Sequence, residues 1–266
     1  MRRLRSQLNG REHGGFPPSS KPGTLYVVST PIGHPDDLSL RGLTILRTAS
    51  LVAAEHPAVT QELLAHHHIH AIITSYGPGN LPEKISLLID RLRRGQDVAL
   101  VVDSGTPAVH DPGQLLITAA HRNRVPVRII PGPSAVTASM ALSGYSGDRF
   151  VFAGKLPGST RSLRQFLQPF CHEAHPVIFL ADRRQLSAAL RQIADLFGRR
   201  ELTLAVDLTK RGEGVLRGPA CALIAQLESI PHPAEVTLIL KEQTRAPHNR
   251  GQTANKGAIR RRRGGG

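Results

Sequence analysis

The sequence predicts an α/β protein in which β-strands and α-helices alternate along the chain. Short apolar runs rich in β-branched residues, such as V-A-L-V-V at residues 98–102, indicate strands buried on both faces of a parallel sheet. Stretches with apolar residues at helical spacing separate these runs, and Ile85, Leu88 and Leu92 mark one of them. Clusters of Gly, Pro, Ser, Thr and Asp follow several strands and predict tight loops there.

The first half of the chain, residues 23–145, is predicted to form a parallel sheet with right-handed crossovers. Asp36 or Asp37 is expected to cap the first helix, and Gly95 is expected to close the helix before the 98–102 strand. The predicted strands cover residues 25–28, 51–55, 71–74, 98–102 and 127–130, and the predicted helices cover residues 37–47, 82–94, 113–122 and 136–142, with a further helix starting at 61–64.

The second half, residues 146–242, follows a predicted interdomain break at residues 144–148. Two basic tails rich in Gly, Pro and polar residues flank the halves, and residues 1–22 and 243–266 are predicted to be disordered. The predicted strands of this half cover residues 150–153, 177–180, 202–206, 215–219 and 236–240, and its helices cover residues 162–167, 186–197 and 222–227.

Charge is the most informative feature of the composition. The 266 residues contain 34 Lys and Arg against 20 Asp and Glu, a net charge of +14, which is typical of proteins that bind a polyanion such as RNA or the ribosome. No apolar run approaches the roughly 18 residues needed to span a bilayer. The two cysteines, Cys171 and Cys221, lack metal-binding spacing and fit a reducing cytoplasm.

Three predicted strands of the first half end in loops that carry polar groups. The loops read T-P-I-G at residues 30–33, D-S-G-T-P at 103–107 and P-G-P-S-A at 131–135. Ligands bind at the carboxyl ends of strands in open α/β sheets. Gly105 allows close approach of the backbone, Thr106 offers a hydroxyl, and Asp103 and Asp111 offer carboxylates. None of the loops is a dinucleotide-binding or phosphate-binding glycine motif.

Taken in order, these motifs resemble the tetrapyrrole methylase superfamily. Within it they are most similar to the bacterial RsmI-type cytidine 2′-O-methyltransferases of small-subunit ribosomal RNA. L-Y-V-V-S-T-P-I-G, V-D-S-G-T-P-A-V-H-D-P-G and P-G-P-S-A are similar to the first-domain loops of that family. G-K-L-P at residues 154–157 and D-L-T-K at 207–210 resemble motifs of its second domain. The likeness covers residues 24–241.

The resemblance implies a two-domain tetrapyrrole methylase-like fold, with each domain an α/β sandwich around a mostly parallel or mixed sheet. It implies a methyltransferase that uses S-adenosylmethionine (SAM), 2′-O-methylates a cytidine of small-subunit ribosomal RNA and forms a homodimer. The SAM-binding residues that it implies are Ile32, Asp103, Gly105, Thr106, Ser134 and Ala135 from the first domain and Leu180 and Leu208 from the second.

Two motifs depart from the family on the side where substrate is expected. Residues 54–58, A-E-H-P-A, keep the family's Glu but lack its Asp, Thr and Arg, and Pro57 is expected to redirect that loop. Residues 180–184, L-A-D-R-R, lack the aromatic-Glu-Ser-Pro-His-Arg motif that follows the corresponding strand of the family. One alternative is therefore an RNA-binding relative with weak or absent catalysis, and another is that Arg183 and Arg184 restore phosphate contacts. A small-molecule methylase is a third, disfavoured by the basic charge.

No catalytic residue is assigned from the sequence. Methyl transfer needs in-line placement, and a general base would assist transfer to a ribose hydroxyl. Glu55, Lys210 and Glu213 are candidates for that base. The histidines at residues 66–68 and 70 suggest a metal, but three consecutive His cannot all face one ion, so a solvated helix end without metal is predicted.

Overall fold

The computed structural model describes residues 21–77 and 81–243, which form two five-stranded sheets. The first sheet is parallel throughout, as its buried strands predicted, with strand order β3-β2-β4-β1-β5. Its strands are β1 (Leu25–Val28), β2 (Leu51–Ala54), β3 (Ile73–Ser75), β4 (Val98–Val101) and β5 (Val127–Ile130).

Helices cover both faces of this sheet. Successive residues of the central strand β4 alternate between two apolar cores: Val98 and Leu100 pack in one core with Leu88, and Ala99 and Val101 pack in the other. Both faces being buried explains why β4 has a continuous apolar sequence. The helices of this half are α1 (Leu40–Thr48), α2 (Pro57–His66), α3 (Leu81–Arg93), α4 (Gln114–Arg122) and α5 (Ala135–Ser143).

The second sheet is mixed, in the order β6-β7-β10-β8-β9, and only β6 and β7 pair in parallel. Its strands are β6 (Val151–Lys155), β7 (Val177–Asp182), β8 (Glu201–Val206), β9 (Gly214–Pro219) and β10 (Glu235–Leu240). Its helices are α6 (Thr160–Leu167), α7 (Leu186–Phe197) and α8 (Ala220–Ile224). The predicted α/β fold with parallel and mixed sheets is confirmed.

The two faces of the second sheet have different partners. Phe179 and Leu238 lie on the face covered by α7. Their neighbours Ile178 and Ile239 lie on the other face, where they pack with Met140 of α5 and Ile32 of the first half. Burial of these side chains holds the two halves together, at roughly 25 cal/mol for each Å² of apolar surface removed from water. The domain boundary between residues 145 and 146 stays a prediction.

Local starts of helices differ from the sequence predictions. Ser39, not Asp36 or Asp37, caps α1, and its Oγ accepts a hydrogen bond from the Gly42 N–H at 3.1 Å. The two aspartates belong to a preceding short 3₁₀ helix. Helix α2 starts at Pro57 rather than near residue 61, because proline suits the first helical position, where no N–H is needed.

The sequence also predicts the end of α3 and the two terminal tails. Gly95 has φ +83°, the left-handed backbone conformation expected of a residue that closes a helix. The predicted disordered tails fall almost wholly outside the described residues. Within residues 21–77 and 81–243, no helix combines the length and the apolar character that a bilayer span requires.

Candidate active site

The loops after β1 and β4 are joined by a pair of backbone hydrogen bonds. Thr30 and Gly105 form an isolated antiparallel bridge, with N–H···O distances of 2.9 Å from Thr30 and 3.2 Å from Gly105. The buried Thr30 hydroxyl also donates to the Val102 carbonyl oxygen at 3.0 Å. These bonds fix the backbone of both loops where they face the second half of the chain.

The third loop, after β5, is packed tightly against the first. A Cβ atom at Gly132 would lie 3.0 Å from the Ser29 Cβ, so the approach of the two backbones depends on glycine. Ser29 in turn shares a 2.9 Å hydrogen bond between its hydroxyl and that of Thr106. The three loops therefore form one connected surface, as expected at the carboxyl edge of a parallel sheet.

This surface forms one wall of a cleft of about 820 Å³ between the two halves of the chain. Leu208 is the one predicted cofactor residue that does not line the cleft. It packs instead with Ile32 and Met140 in the buried cluster between the halves. The predicted residues that do line the cleft are Ile32, Asp103, Gly105, Thr106, Ser134, Ala135 and Leu180.

Asp103 has an incompletely satisfied carboxylate. Its Oδ2 lies 2.7 Å from Nδ1 of His56, while its Oδ1 is buried and has no hydrogen-bond partner among the described residues. A buried polar atom without a partner costs about 1–3 kcal/mol, so such an atom indicates a ligand that completes its bonding. A ligand with a positive charge or an N–H or O–H donor fits this oxygen.

Gly105 leaves room in the wall. Its φ is +84°, a conformation that side chains with a branched Cβ resist. Among the described residues, a Cβ atom there would meet only Cγ2 of Ile32, at 3.8 Å, so it would project into the open space of the cleft. Both the backbone conformation and the free space therefore require glycine if a ligand is to reach this loop.

Asp111 is a second unusual carboxyl in the cleft. Burial is the main cause that raises its pKa, from the ordinary 3.8 to about 6, and the charges of Glu55 and Asp103 raise it further while His110 lowers it. Ala108 and His110 beside it adopt φ values of +69° and +70°, which are uncommon for residues other than glycine. The sequence shows this carboxylate in the central loop, but Asp111 is not among the predicted SAM-binding residues.

The opposite wall of the cleft comes from the second sheet. Leu180 is the one residue of this wall that is among the predicted SAM-binding residues. Leu180 of β7 is paired with Thr237 of β10, two residues beyond the Ile178–Ile239 pair that packs between the halves. The alternation along a strand therefore places the cleft wall on the face that also joins the halves. At its edge, Nζ of Lys155 lies 3.1 Å from Oδ2 of Asp182.

The three candidate bases lie in different places. Glu55 lines the cleft. Lys210 lies outside it, with Nζ 2.9 Å from Glu235 Oε2 and 3.5 Å from Asp207 Oδ1. Glu213 also lies outside and accepts a 2.6 Å hydrogen bond from the Thr209 N–H. Lys210 and Glu213 thus order the loop after β8, and Glu55 is the one of the three that faces the cleft.

The histidine-rich segment lies at the end of α2, away from the cleft. Nε2 of His66 is 2.8 Å from Oδ1 of Asp36, and Nε2 of His67 is 3.0 Å from the Pro35 carbonyl oxygen. The pKa of Asp36 is lowered, chiefly by its hydrogen bond with His66. These contacts connect α2 to the short 3₁₀ helix before α1.

The two departures from the family motifs have separate structural roles. Pro57 occupies the first position of α2, so the loop change is absorbed as a normal helix start, and His56 contacts Asp103. Arg183 donates hydrogen bonds to the carbonyl oxygens of Leu227 at 2.6 Å and Ile230 at 3.3 Å, which fixes the segment after β7. Arg184 is exposed. Of the two arginines, Arg184 is the one available to a phosphate.

Solved structures align with this chain over most of its length. Uroporphyrin-III C-methyl transferase from Thermus thermophilus, complexed with S-adenosyl homocysteine, aligns with a TM-score of 0.58 at 22% identity, over 81% of this chain and 97% of its own. Diphthine synthase aligns with a TM-score of 0.65 at 20% identity, over 82% and 90% of the two chains. At these identities the likenesses show only the fold class of the chain.

The sequence places the chain within that class. The family model of tetrapyrrole (corrin/porphyrin) methylases matches residues 24–223, and the chain belongs to this family. Ribosomal RNA small subunit methyltransferase I of Thermotoga maritima is 34% identical over 218 residues, covering 82% of this chain and 98% of the relative. The protein of the same name from Xylella fastidiosa strain Temecula1 is 38% identical over 209 residues, covering 78% and 77%. The predicted family and methyltransferase class are confirmed.

Proposed function

We propose that this protein uses SAM to methylate the ribose 2′-hydroxyl of a cytidine in small-subunit ribosomal RNA. The observation that carries the cofactor assignment is the buried Oδ1 of Asp103, which has no hydrogen-bond partner within residues 21–77 and 81–243 and lies in the cleft of a methylase family member. The assignment of the substrate rests on relatives of 34% and 38% identity that are named as ribosomal RNA methyltransferases.

The residues of the cleft suit a cationic methyl donor. SAM carries positive charge on its sulfonium and amine, and when bound it supplies an electrophilic methyl group. Asp103 and Glu55 offer carboxylates to these charges, while Thr106 and Ser134 offer hydroxyl groups. Ser134 precedes α5 without using its side chain as a helix cap, so its hydroxyl is available to a ligand. Ile32, Ala135 and Leu180 supply apolar contact.

The charge of the chain supports RNA as the partner. Of its 34 Lys and Arg residues, four precede residue 21 and seven follow residue 243. Basic segments of this kind contact phosphates without reading the base sequence. We further propose a homodimer, as the family resemblance implies, and sedimentation at micromolar concentration tests it, because a monomer there contradicts it.

The test of the function is incubation of the purified full chain with labelled SAM and small ribosomal subunits from a bacterial strain that lacks its own enzyme. Incorporation of label at a cytidine 2′-oxygen supports the proposal. SAM binding without incorporation contradicts it and indicates the catalytically degenerate relative. The isosteric Asp103→Asn variant serves as the control at limiting SAM, where its weaker binding of SAM is expected to lower the incorporation of label.

A further inference from the structure

The cleft contains five carboxyl side chains, and they differ in their partners. The five are Glu55, Asp103, Asp111, Asp182 and Glu235. Asp103 contacts His56, Asp182 pairs with Lys155, and Glu235 pairs with Lys210. Within the described part of the chain, Glu55 and Asp111 have no hydrogen bond or ion pair through their side chains. These two carboxylates are therefore the ones free to accept a proton from a substrate.

The backbone that carries Asp111 is held in a fixed and unusual shape. The Ala108 N–H donates to the Pro112 carbonyl oxygen at 3.1 Å, and the Val109 N–H donates to the Thr106 carbonyl oxygen at 3.2 Å. Between these bonds, Ala108 and His110 both have positive φ, a backbone conformation that is unfavourable for residues other than glycine. Uncommon backbone geometry of this kind is concentrated at functional sites, where it fixes the direction of a side chain.

The second half approaches this loop closely. Gly154 of β6 has φ +83°, and a Cβ atom there would lie 3.6 Å from Nδ1 of His110. Asp111 is thus in the cleft between a loop of the first half and a strand of the second, and it is partly withdrawn from water. A carboxyl in this position can meet a substrate that enters between the halves.

We propose that Asp111 is the catalytic residue that accepts the proton of the hydroxyl group to be methylated, an inference that rests on the proposed function. In this step the hydroxyl oxygen forms a bond to the methyl carbon of SAM, and the carbon–sulfur bond breaks with its electron pair remaining on sulfur. The hydroxyl proton passes to a carboxylate oxygen of Asp111. Charge balances, because the sulfonium becomes a neutral thioether and the carboxylate becomes a neutral acid.

The electrostatics of the cleft suit this role. A general base is most effective when its pKa approaches the working pH, and burial raises the pKa of Asp111 to about 6. The charged groups that face it are Glu55 beyond β2, Asp103 beyond β4 and the adjacent His110, with Lys155, Asp182 and Glu235 on the opposite wall. Glu55 acts here as a like charge that strengthens the base.

The pH dependence of a single methylation turnover on small ribosomal subunits tests the assignment. For the unmodified protein, the rate at saturating SAM rises with pH to a plateau. The midpoint of this rise lies no higher than the pKa of about 6 that Asp111 has in the free cleft, because the positive charge of bound SAM favours the carboxylate. Asp111→Asn is expected to lower the plateau rate by about 100-fold or more and to remove this rise, with SAM affinity changed less than threefold. Asp111→Glu restores part of the rate and the rise.

Glu55→Gln provides a matched comparison, because it removes the neighbouring charge and leaves Asp111 in place. The rise in rate is then expected to persist at a lower pH. If Asp111→Asn keeps the rise in rate, or if its SAM affinity falls in parallel with its rate, the proposal is overturned.

A second readout does not depend on activity. Carbon-13 NMR of aspartate carboxyl groups is expected to show one resonance that titrates near pH 6 and is missing from the Asp111→Asn spectrum. Absence of that resonance overturns the proposal even if the subunits are methylated. Failure of the unmodified protein to methylate subunits, with the resonance present, counts against the proposed function instead.

Discussion

The two walls of the cleft are built in different ways. The wall of the first half consists of irregular loops at the ends of β1, β4 and β5, joined by the Thr30–Gly105 bridge. The wall of the second half consists of regular strand residues, among them Leu180 and Thr237 in register on neighbouring strands. One wall therefore depends on backbone conformation, and the other depends on side chains projecting from a flat sheet.

The charges of the two walls differ in the same way. On the loop wall, Asp103 has an unpartnered oxygen and Asp111 has a raised pKa. On the strand wall, Asp182 and Glu235 are exposed and each is paired with a lysine. Because each lysine offsets the charge of the carboxylate it contacts, the strand wall has little net charge left for a ligand. The chemistry is concentrated on the loop wall, and the strand wall supplies shape.

Among the changes considered for the cleft, Gly105→Val is expected to have the largest effect on SAM affinity. The branched side chain resists φ +84° and projects into the cleft, so SAM affinity should fall by about 100-fold or more, roughly 3 kcal/mol. Calorimetry measures the loss. Gly198→Val is the matched control, since Gly198 also has positive φ but lies outside the cleft, and no atom of the described part of the chain lies within 4 Å of an added Cβ. Equal losses of affinity in both variants remove the loop from the site.

A pair of isosteric changes compares the carboxylates of the two walls directly. Asp103→Asn on the loop wall should weaken SAM binding by about tenfold, or about 1.4 kcal/mol, because the unpartnered oxygen loses its charge. Asp182→Asn on the strand wall should weaken it less than threefold, because Lys155 already neutralises that group. Calorimetry at one pH measures both. A larger loss for Asp182→Asn reverses the assignment of charge to the loop wall.

The burial of Asp111 in the loop wall should lower the free energy of unfolding at pH values where its carboxyl group is charged. The folded protein holds this proton more tightly than the unfolded chain, so stability is lost as pH rises from about 4 to about 6. Asp111→Asn should therefore raise the free energy of unfolding at pH 7.5, by about 1 kcal/mol after allowing for partial exposure, and should not raise it at pH 4. Thermal melts at the two pH values measure this as a shift of a few degrees. A gain that is equal at both pH values attributes the effect to packing instead.

The smallest effect is expected for His56, which contacts the loop wall from outside. Its side chain is 65% exposed, so its 2.7 Å contact with Asp103 contributes less than about 1 kcal/mol. His56→Ala should change SAM affinity less than threefold, as calorimetry can show. A tenfold loss would mean that His56 positions the Asp103 carboxylate, and the loop wall would then extend to the start of α2.

The sequence made the loop wall predictable and left the strand wall mostly hidden. Gly105, Thr106 and Ser134 stand in clusters of turn residues directly after buried strands, and the ends of parallel strands meet at one edge of the sheet. Thr237 stands inside an ordinary apolar strand, where alternation cannot show which face a ligand uses. Pairing with β7 decides that, and pairing is a property of the whole sheet.

Other differences have equally local causes. Leu208 lies next to the loop after β1, but its side chain packs in the core between the halves. The position of Leu208 in its motif does not determine whether its side chain faces the core or the cleft. Ser39 caps α1 in place of the two aspartates, because Asp36 and Asp37 lie in a separate, shorter helix that precedes it. The raised pKa of Asp111 comes mainly from burial in the folded protein, with a further contribution from Glu55, which a distant segment of the chain brings near it.

The bridge between Thr30 and Gly105 also bears on how the site is made during folding. It joins segments 75 residues apart in sequence, so it can form only after β1 and β4 have paired, and such non-local contacts form slowly. The amide protons of Thr30 and Gly105 are bonded like those of the sheet interior, and they should exchange with deuterium as slowly as those of β4. A chain whose parallel sheet is incomplete therefore lacks the loop wall of the cleft. During folding, affinity for the ligand should appear in one late step rather than gradually.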